Sequence, residues 1–493
     1  MLDYILAIDA GTTGVRACGF SAKDLTLIYS SYKEISISYP AANSVEQNAT
    51  EIIDKIKACI KEVCKHIDGS CLAIGITNQR ETILCWDKDS LKPVYNAIVW
   101  QDKRTTDYCQ QLAEDPQISK LIRNKTGLVI DPYFSATKIK WLLQNLNLNP
   151  SKIRIGTVDS WIIENLRQPF SGTHISDYSN ASRTMLFDIH NLNWSPELLE
   201  IFGIPKEILP ETVPSGYHFG TIDKNLSESL GFKNPPKILS VLGDQQSALF
   251  GQGCFSKSLV KATFGTGSFV LMNVGSEPPS SPEGLLTTIA WAIKEPSVTY
   301  ALEGSNLVSG AAIKWMRDSL GLIQNSQELE PLALSVPDAG QVCFVPAFVG
   351  LGSPFWDPSA RGFITGITQG TTKAHLARAL VEALVFQVKD ITEAMKNYAI
   401  TPTKVRVDGG ASKMNLLCQL LADTLEIPVQ RPLITEATAL GTAALSGVML
   451  DLWDLQALSN ILAPATNFTP EPNNYLKTKY AFWQKCITRA KQS

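Results

Sequence analysis

Three short turns of one kind restrict this chain more than any other feature. Gly11-Thr12-Thr13 follows the apolar run "YILAI" and Asp9; Gly265-Thr266-Gly267 follows "LVKATF"; Asp408-Gly409-Gly410 follows "TKVRV". Each comes after a stretch that reads as a β-strand, and the first two lead back into another, "ACGF" and "SFVLMNVG". One such turn reads as a hairpin, because glycine supplies the freedom that a tight reversal needs. It reads equally as an anion cradle: small residues let backbone N–H groups approach a phosphate, hydroxyls add donors, and an acid at the strand end holds a metal. Three of them, spread over both halves, favour a phosphate-binding cleft, since a triphosphate is long enough to need donors from two lobes. Neither the Walker nor the Rossmann spacing occurs around these turns.

Strand and helix signals alternate throughout, which is α/β architecture. "TEIIDKIKACIKEVCKHI" places Ile52, Ile53, Ile56, Ile60, Val63 and Ile67 at helical spacing, with Thr50 as the expected N-cap. "CLAIGITNQ" reads as a buried strand and "SATKIKWLLQNL" as a helix. The second half repeats this grammar, with a long helix in "KAHLARALVEALVFQVKDITEAMKNY" before the Asp-Gly-Gly turn. Two similar lobes with a cleft between them are expected, divided near Gly243 to Gly253, as domains 1–246 and 247–493.

A chain of 493 residues is ample for two such lobes. Its net charge of −3 offers no electrostatic argument for nucleic acid or an anionic membrane surface. Ten scattered cysteines without a C-x-x-C pair read as small buried thiols in a reducing compartment, and the five histidines do not cluster with them as zinc ligands would. The run "AGQVCFVPAFVGLGSPFW" is broken by glycines and prolines and does not read as a membrane span, and the N-terminus has no basic n-region. A cytoplasmic protein without membrane insertion is expected.

The motifs "DAGTTGVR", "GITNQRET", "AIVWQDKRT", "YFSATKIKW", "SNASRTMLF", "GDQQSALFGQ", "TFGTGSF", "YALEG", "GFITGITQGTTKAHLARALVE" and "VRVDGGASKMN" together resemble the FGGY carbohydrate kinases, in order along essentially the whole chain. Within that family they are most similar to the members that phosphorylate glycerol. The resemblance implies two actin-like ATPase domains of ribonuclease H type around a central catalytic cleft. It implies transfer of phosphate from ATP to glycerol, giving ADP and sn-glycerol 3-phosphate, with Mg²⁺. Thr12, Thr13 and Gly14 would line the nucleotide phosphates, Arg16 would add charge near them, and Asp9 would hold Mg²⁺ through water. Thr266, Gly310, Gly410 and Ala411 match nucleotide-contacting positions; Lys314 stands where Gln is common, and Met414 where Asn is usual. A homo-oligomer, dimer or tetramer, is implied as well.

Glycerol has three hydroxyls and no charge, so its site needs a polar fan and an apolar wall. Arg80 only donates and Glu81 only accepts, so together they satisfy a diol. As a bare dipeptide they read as a surface ion pair, but their place after a strand favours a site. Tyr133 would face the substrate, with Trp100 and Phe269 as the wall; core packing is the alternative for these rings. Asp244 in "VLGDQQSALFGQG" would be the general base, with Gln245 as a further contact, or else a helix N-cap. A kinase for another small polyol or sugar is the nearest rival; an actin-like switch that binds protein would lack the polyol cluster. The fructose bisphosphate loop of some bacterial relatives, Gly-Gly-Lys-Gly-Gly-Thr-Arg, does not occur before "GDQQ", and His218 is read as a surface or packing residue.

Overall fold

The computed structural model describes residues 2–167, 173–279, 283–294, 296–398, 400–433 and 436–491. Strand β1 (Leu2–Ala10) turns back through Gly11–Thr13 into antiparallel β2 (Gly14–Ser21), and that into β3 (Leu27–Glu34). Helix α1 (Ala49–His66) leads to β4 (Gly69–Asn78), parallel to β1. A long excursion carries α2 (Ser135–Asn145) and returns through β5 (Gly216–Thr221) to β6 (Lys237–Gly243), parallel to β4. His218 is exposed on β5. Helix α3 (Asp244–Gly251) follows β6 without a loop, so the expected division at 246/247 falls inside it.

The second lobe is built alike. Its sheet holds β7 (Leu259–Phe264), β8 (Ser268–Gly275), β9 (Leu286–Ala292) and β10 (Val298–Asn306). Helices α4 (Gly310–Asp318) and α5 (Lys373–Lys396) precede β11 (Lys404–Asp408); α6 (Asn415–Leu425), β12 (Val429–Arg431) and α7 (Ala437–Met449) follow. Outward from each meander the two sheets share one plan. Antiparallel β3-β2-β1 is continued by parallel β4 and β6, and antiparallel β10-β8-β7 by parallel β11 and β12. The repeat read from the sequence is thus a repeat of topology.

Local chemistry accounts for the elements. Ile5 to Ile8 of β1 are buried on both faces, the pattern of a central strand covered by helices. Ile52, Ile53, Ile56, Ile60 and Val63 form the buried stripe of α1, each contributing about 1.5–3 kcal/mol. The cap of α1 is Asn48 rather than Thr50: its Oδ1 accepts from the N–H groups of Thr50 and Glu51 at 2.9 and 3.1 Å. An asparagine two residues earlier caps as well as threonine, and Thr50 is left inside the first turn.

The lobes meet where α3 and α7 cross. A Cβ on Gly251 would lie 2.2 Å from the Ala437 carbonyl oxygen, and one on Gly441 1.8 Å from that of Ser247, so only glycine admits the contact. Ser247 Oγ donates to the Thr438 carbonyl at 2.7 Å. Ile5 and Ala7 of β1, Leu249 and Phe250 of α3, Leu271 of β8 and Leu440 of α7 form one core shared by both lobes. No described helix is long and apolar enough to cross a membrane. All ten cysteines are free thiols, eight of them buried.

Candidate active site

Neighbouring parallel strands β1, β4 and β6 deliver Asp9, the Arg80-Glu81 pair and Asp244 to one end of the first sheet. Carboxyl ends of parallel strands are where α/β proteins bind ligands. Arg80 and Glu81 are 2% and 1% exposed, which rules out a surface ion pair. Arg80 grips Glu303 of β10 bidentately, Nη1 to Oε2 at 2.6 Å and Nη2 to Oε1 at 3.0 Å. Arg183 donates from Nε to Glu81 Oε1 at 2.7 Å and from Nη2 to Glu303 Oε1 at 3.0 Å. With Arg80 Nε 3.9 Å from Glu81 Oε1, two guanidiniums and two carboxylates close a buried ring, Glu303 reaching in from the other lobe. Against the cost of burial, Arg183 and Arg80 hold the Glu303 carboxyl down at about 2. Glu81 sits at φ 62°, a strained conformation for an L-residue, and Ser135 Oγ holds its carbonyl at 3.1 Å.

The valences left over define what this ring can bind. Arg80 Nη1 also donates to Gln246 Oε1 at 3.2 Å, and its Nε lies 3.2 Å from Asp244 Oδ1. One N–H of Nη2 remains. Glu81 Oε2 has no partner among the described residues, and Arg183 Nη1 is buried without one. A neutral polyol, which donates and accepts at every oxygen, suits such a mixed set.

Tyr133 lies beside the ring, its aromatic face 5.8 Å from the Arg183 guanidinium carbon. Its turn is pinned by Lys138 of α2, whose buried ammonium donates to the carbonyls of Pro132, Tyr133 and Phe134 at 3.0, 2.6 and 2.9 Å. Burial pushes that ammonium down to about 8. Trp100 meets Tyr133 edge to face at 5.6 Å, and its Nε1 donates to Thr12 Oγ1 at 2.8 Å. Gln47 Nε2 donates to the Thr12 carbonyl at 2.5 Å and is itself tied to Gln79, so the first turn is anchored to the strand end that carries Arg80. Phe269 stands half-buried on β8 in the other lobe, without a ring contact to Trp100 or Tyr133 among the described residues.

Asp244 is the first residue of α3, and Gly243 is the cap. The N-cap alternative is therefore corrected: β6 runs straight into the helix, and the carboxylate accepts only from the next backbone N–H, Gln245, at 2.7 Å. The Gln245 hydrogen bond and the Arg80 ion pair both fall on Oδ1, leaving Oδ2 without a hydrogen bond among the described residues. Gln245 gives its carbonyl oxygen to Lys261 of β7.

The second and third turns lie together at the end of β7, where a Cβ on Gly409 would meet the Phe264 carbonyl. A Cβ on Gly14 would meet the Tyr32 hydroxyl at 2.4 Å, so a larger residue here would push that exposed ring aside. Thr13 is exposed, and Arg16 pairs with Glu436 at the start of α7. In the second lobe Thr266 is exposed, and its loop is fastened to α4 by the Gly310 N–H on the Gly265 carbonyl at 2.9 Å. Gly409 packs onto the end of β7, and Gly410 faces open space beside Ala411. Lys314 is exposed on α4, and Met414 is buried in the second lobe's core, its N–H on the Ala411 carbonyl at 3.1 Å.

Asp9 tests the expected metal. Burial, and then the charge of Asp244, push its carboxyl up to about 7. Oxygen donors whose mutual repulsion a divalent cation would relieve fit Mg²⁺. The described residues hold no cluster of three candidate metal ligands.

Arg183, Glu303, Lys138 and Lys261 were not singled out from the sequence. For Arg183, Glu303 and Lys261 a signal was present: each is a lone charge inside an apolar or small-residue run, a setting that calls for a buried partner.

The family model for the N-terminal domain of the FGGY carbohydrate kinases matches residues 4–251, and that for the C-terminal domain residues 260–450. Glycerol kinase from Saccharolobus islandicus (strain M.14.25 / Kamchatka #1) is 47% identical over 496 residues, covering 99% of this chain and 96% of its own. Glycerol kinase 2 from Thermotoga maritima is 45% identical, covering 99% of both chains. The crystal structure of Plasmodium falciparum glycerol kinase with ADP superposes at a TM-score of 0.92 with 31% identity, over 99% of this chain and 98% of that one. With both domain models matched in order and relatives this similar along its length, the chain belongs to the FGGY family of carbohydrate kinases.

Proposed function

We propose that this chain transfers the γ-phosphoryl group of ATP to a terminal hydroxyl of glycerol, giving ADP and sn-glycerol 3-phosphate. The observation that carries the reading is the buried Arg80–Glu303–Arg183–Glu81 ring, whose leftover donors and acceptor suit a small diol beside an open carboxylate oxygen. Arg80 Nη2 and Glu81 Oε2 hold two hydroxyls, with Tyr133 and the Gln245 amide adding contacts. Trp100 and, from the other lobe, Phe269 cover the carbon chain. Asp244 Oδ2 accepts the proton of the attacking hydroxyl. A carboxylate can take it, because that proton becomes acidic late in a loose transition state.

Thr12, Thr13 and Gly14 offer donors to the phosphates from one lobe, and Thr266, Gly310, Gly410 and Ala411 from the other. Arg16 places a positive charge nearby. Asp9 would hold Mg²⁺, which when bound neutralises phosphate charge that repels the incoming oxygen. In this division residues 1–246 carry the glycerol site and first phosphate turn, and 247–493 the nucleotide site. The family resemblance supports a cytoplasmic homo-oligomer, dimer or tetramer.

The test is ADP release measured across glycerol, pentitols and hexoses. A site that pairs each hydroxyl can reject a ligand that leaves groups unpaired by about 10⁴, so glycerol should give by far the highest kcat/KM. Comparable turnover of a pentitol or hexose would overturn the assignment.

A further inference from the structure

Lys261 is fully buried in β7, yet nothing in the phosphoryl transfer outlined above uses it. Its ammonium donates to Gln245 Oε1 across the lobe boundary and to Thr263 Oγ1 at 2.8 Å. Asp408, at the end of neighbouring β11, adds an attractive charge and keeps Oδ1 unpartnered. Burying a lysine is costly unless its charge is matched, so its place calls for a reason.

The chemistry of the contact supplies one. The two ends of a glutamine amide are nearly indistinguishable by shape, but an ammonium has three donors and no acceptor. The end of Gln245 that meets Lys261 must be the carbonyl oxygen. The NH₂ end is thereby left to face away from Lys261, and Gln245 directly follows Asp244. Without that ammonium the amide is free to present either end.

We propose that Lys261 is a positioning residue: it fixes the Gln245 amide so that its NH₂ donates to a substrate hydroxyl next to Asp244. The proposal rests on the polyol-kinase reading, and it makes substrate affinity depend on a residue of the opposite lobe.

The experiment is a double-mutant cycle in the full chain, with Lys261→Met and Gln245→Leu, read as KM for the polyol, KM for ATP and kcat. The wild type is first run on the polyol panel, and the cycle uses whichever polyol it turns over, so the parent reading and this one fail separately. A hydrogen bond to a charged group predicts a rise in polyol KM of about 10- to 100-fold for Lys261→Met. KM for ATP should move less than about threefold, and the double variant should be no worse than the poorer single one, as for residues that act as a unit. Polyol KM within about twofold of wild type, or effects that multiply in the double variant, would overturn the proposal. Gln245→Glu serves if Lys261→Met does not fold. A carboxylate keeps the bond to Lys261 but loses the NH₂ donor, so melting should hold while polyol KM rises by a similar factor. An unchanged polyol KM in that variant refutes the idea.

Discussion

Replacing Asp244 by asparagine isolates the proton transfer. On this side chain Oδ1 accepts from the Gln245 N–H at 2.7 Å and lies 3.2 Å from Arg80 Nε as an ion pair. An asparagine keeps an oxygen there, so the bond from Gln245 survives, and Arg80 stays seated through its bidentate grip on Glu303. What changes is the other position, where Oδ2 becomes an NH₂ that donates and cannot take a proton. Removing a general base costs about 10²–10⁴ in kcat, or roughly 2.7–5.4 kcal/mol at 1.36 kcal/mol per decade. Glycerol KM should rise far less, since the contacts through Arg80 and Glu81 are untouched. Melting should stay near wild type, because Gly243 is the cap and no cap bond is lost. The assay is single-turnover phosphoryl transfer at saturating ATP and glycerol, which separates chemistry from release. Transfer within a few-fold of wild type would refute the base assignment and leave Asp244 as an anchor for Arg80.

Thr12→Val removes a phosphate donor and the acceptor of Trp100 Nε1, so KM for ATP should rise about tenfold, with a smaller rise for glycerol; steady-state kinetics with an unchanged ATP KM would leave Thr12 as a turn residue only. Glu303→Gln leaves two buried guanidiniums facing one neutral amide, and loss of one member of a buried ion cluster costs about 3–5 kcal/mol. Thermal scans should show a clearly lower Tm; an unchanged one would remove the ring from the stability argument. Asp9 also sets a pH dependence: its folded carboxyl titrates near 7, whereas the unfolded one titrates near about 3.9. Between those values the unfolded chain has released a proton that the folded chain keeps, so the Asp9 contribution to stability falls as pH rises through this window. Melting from pH 4.5 to 8 should therefore have a shallower downward slope in Asp9→Asn than in wild type, and stabilisation by Mg²⁺ with ADP should be larger at pH 8 than at pH 5. A slope equal in both proteins would contradict this.

Local features were legible in the sequence because local chemistry sets them. The apolar runs before Asp9, Arg80 and Asp244 are strands whose ends carry those groups, and glycine and threonine in the following turns have the same meaning wherever the turn lies. The stripe of α1 could be read from its period, but not its cap, because Asn48 and Thr50 are chemically equivalent there and only the helix start chooses between them. Partnership was out of reach. Arg80 beside Glu81 suggested a pair, yet each is satisfied by a distant residue. Glu81 takes Arg183, 102 positions away, and Arg80 takes Glu303, 223 positions away and in the other lobe. A charge in an apolar run announces that it must be matched, but not by what. That is decided when β10 of one lobe comes to face the strand ends of the other, since Coulomb attraction and hydrogen bonding act over a few ångströms of space, whatever the distance along the chain.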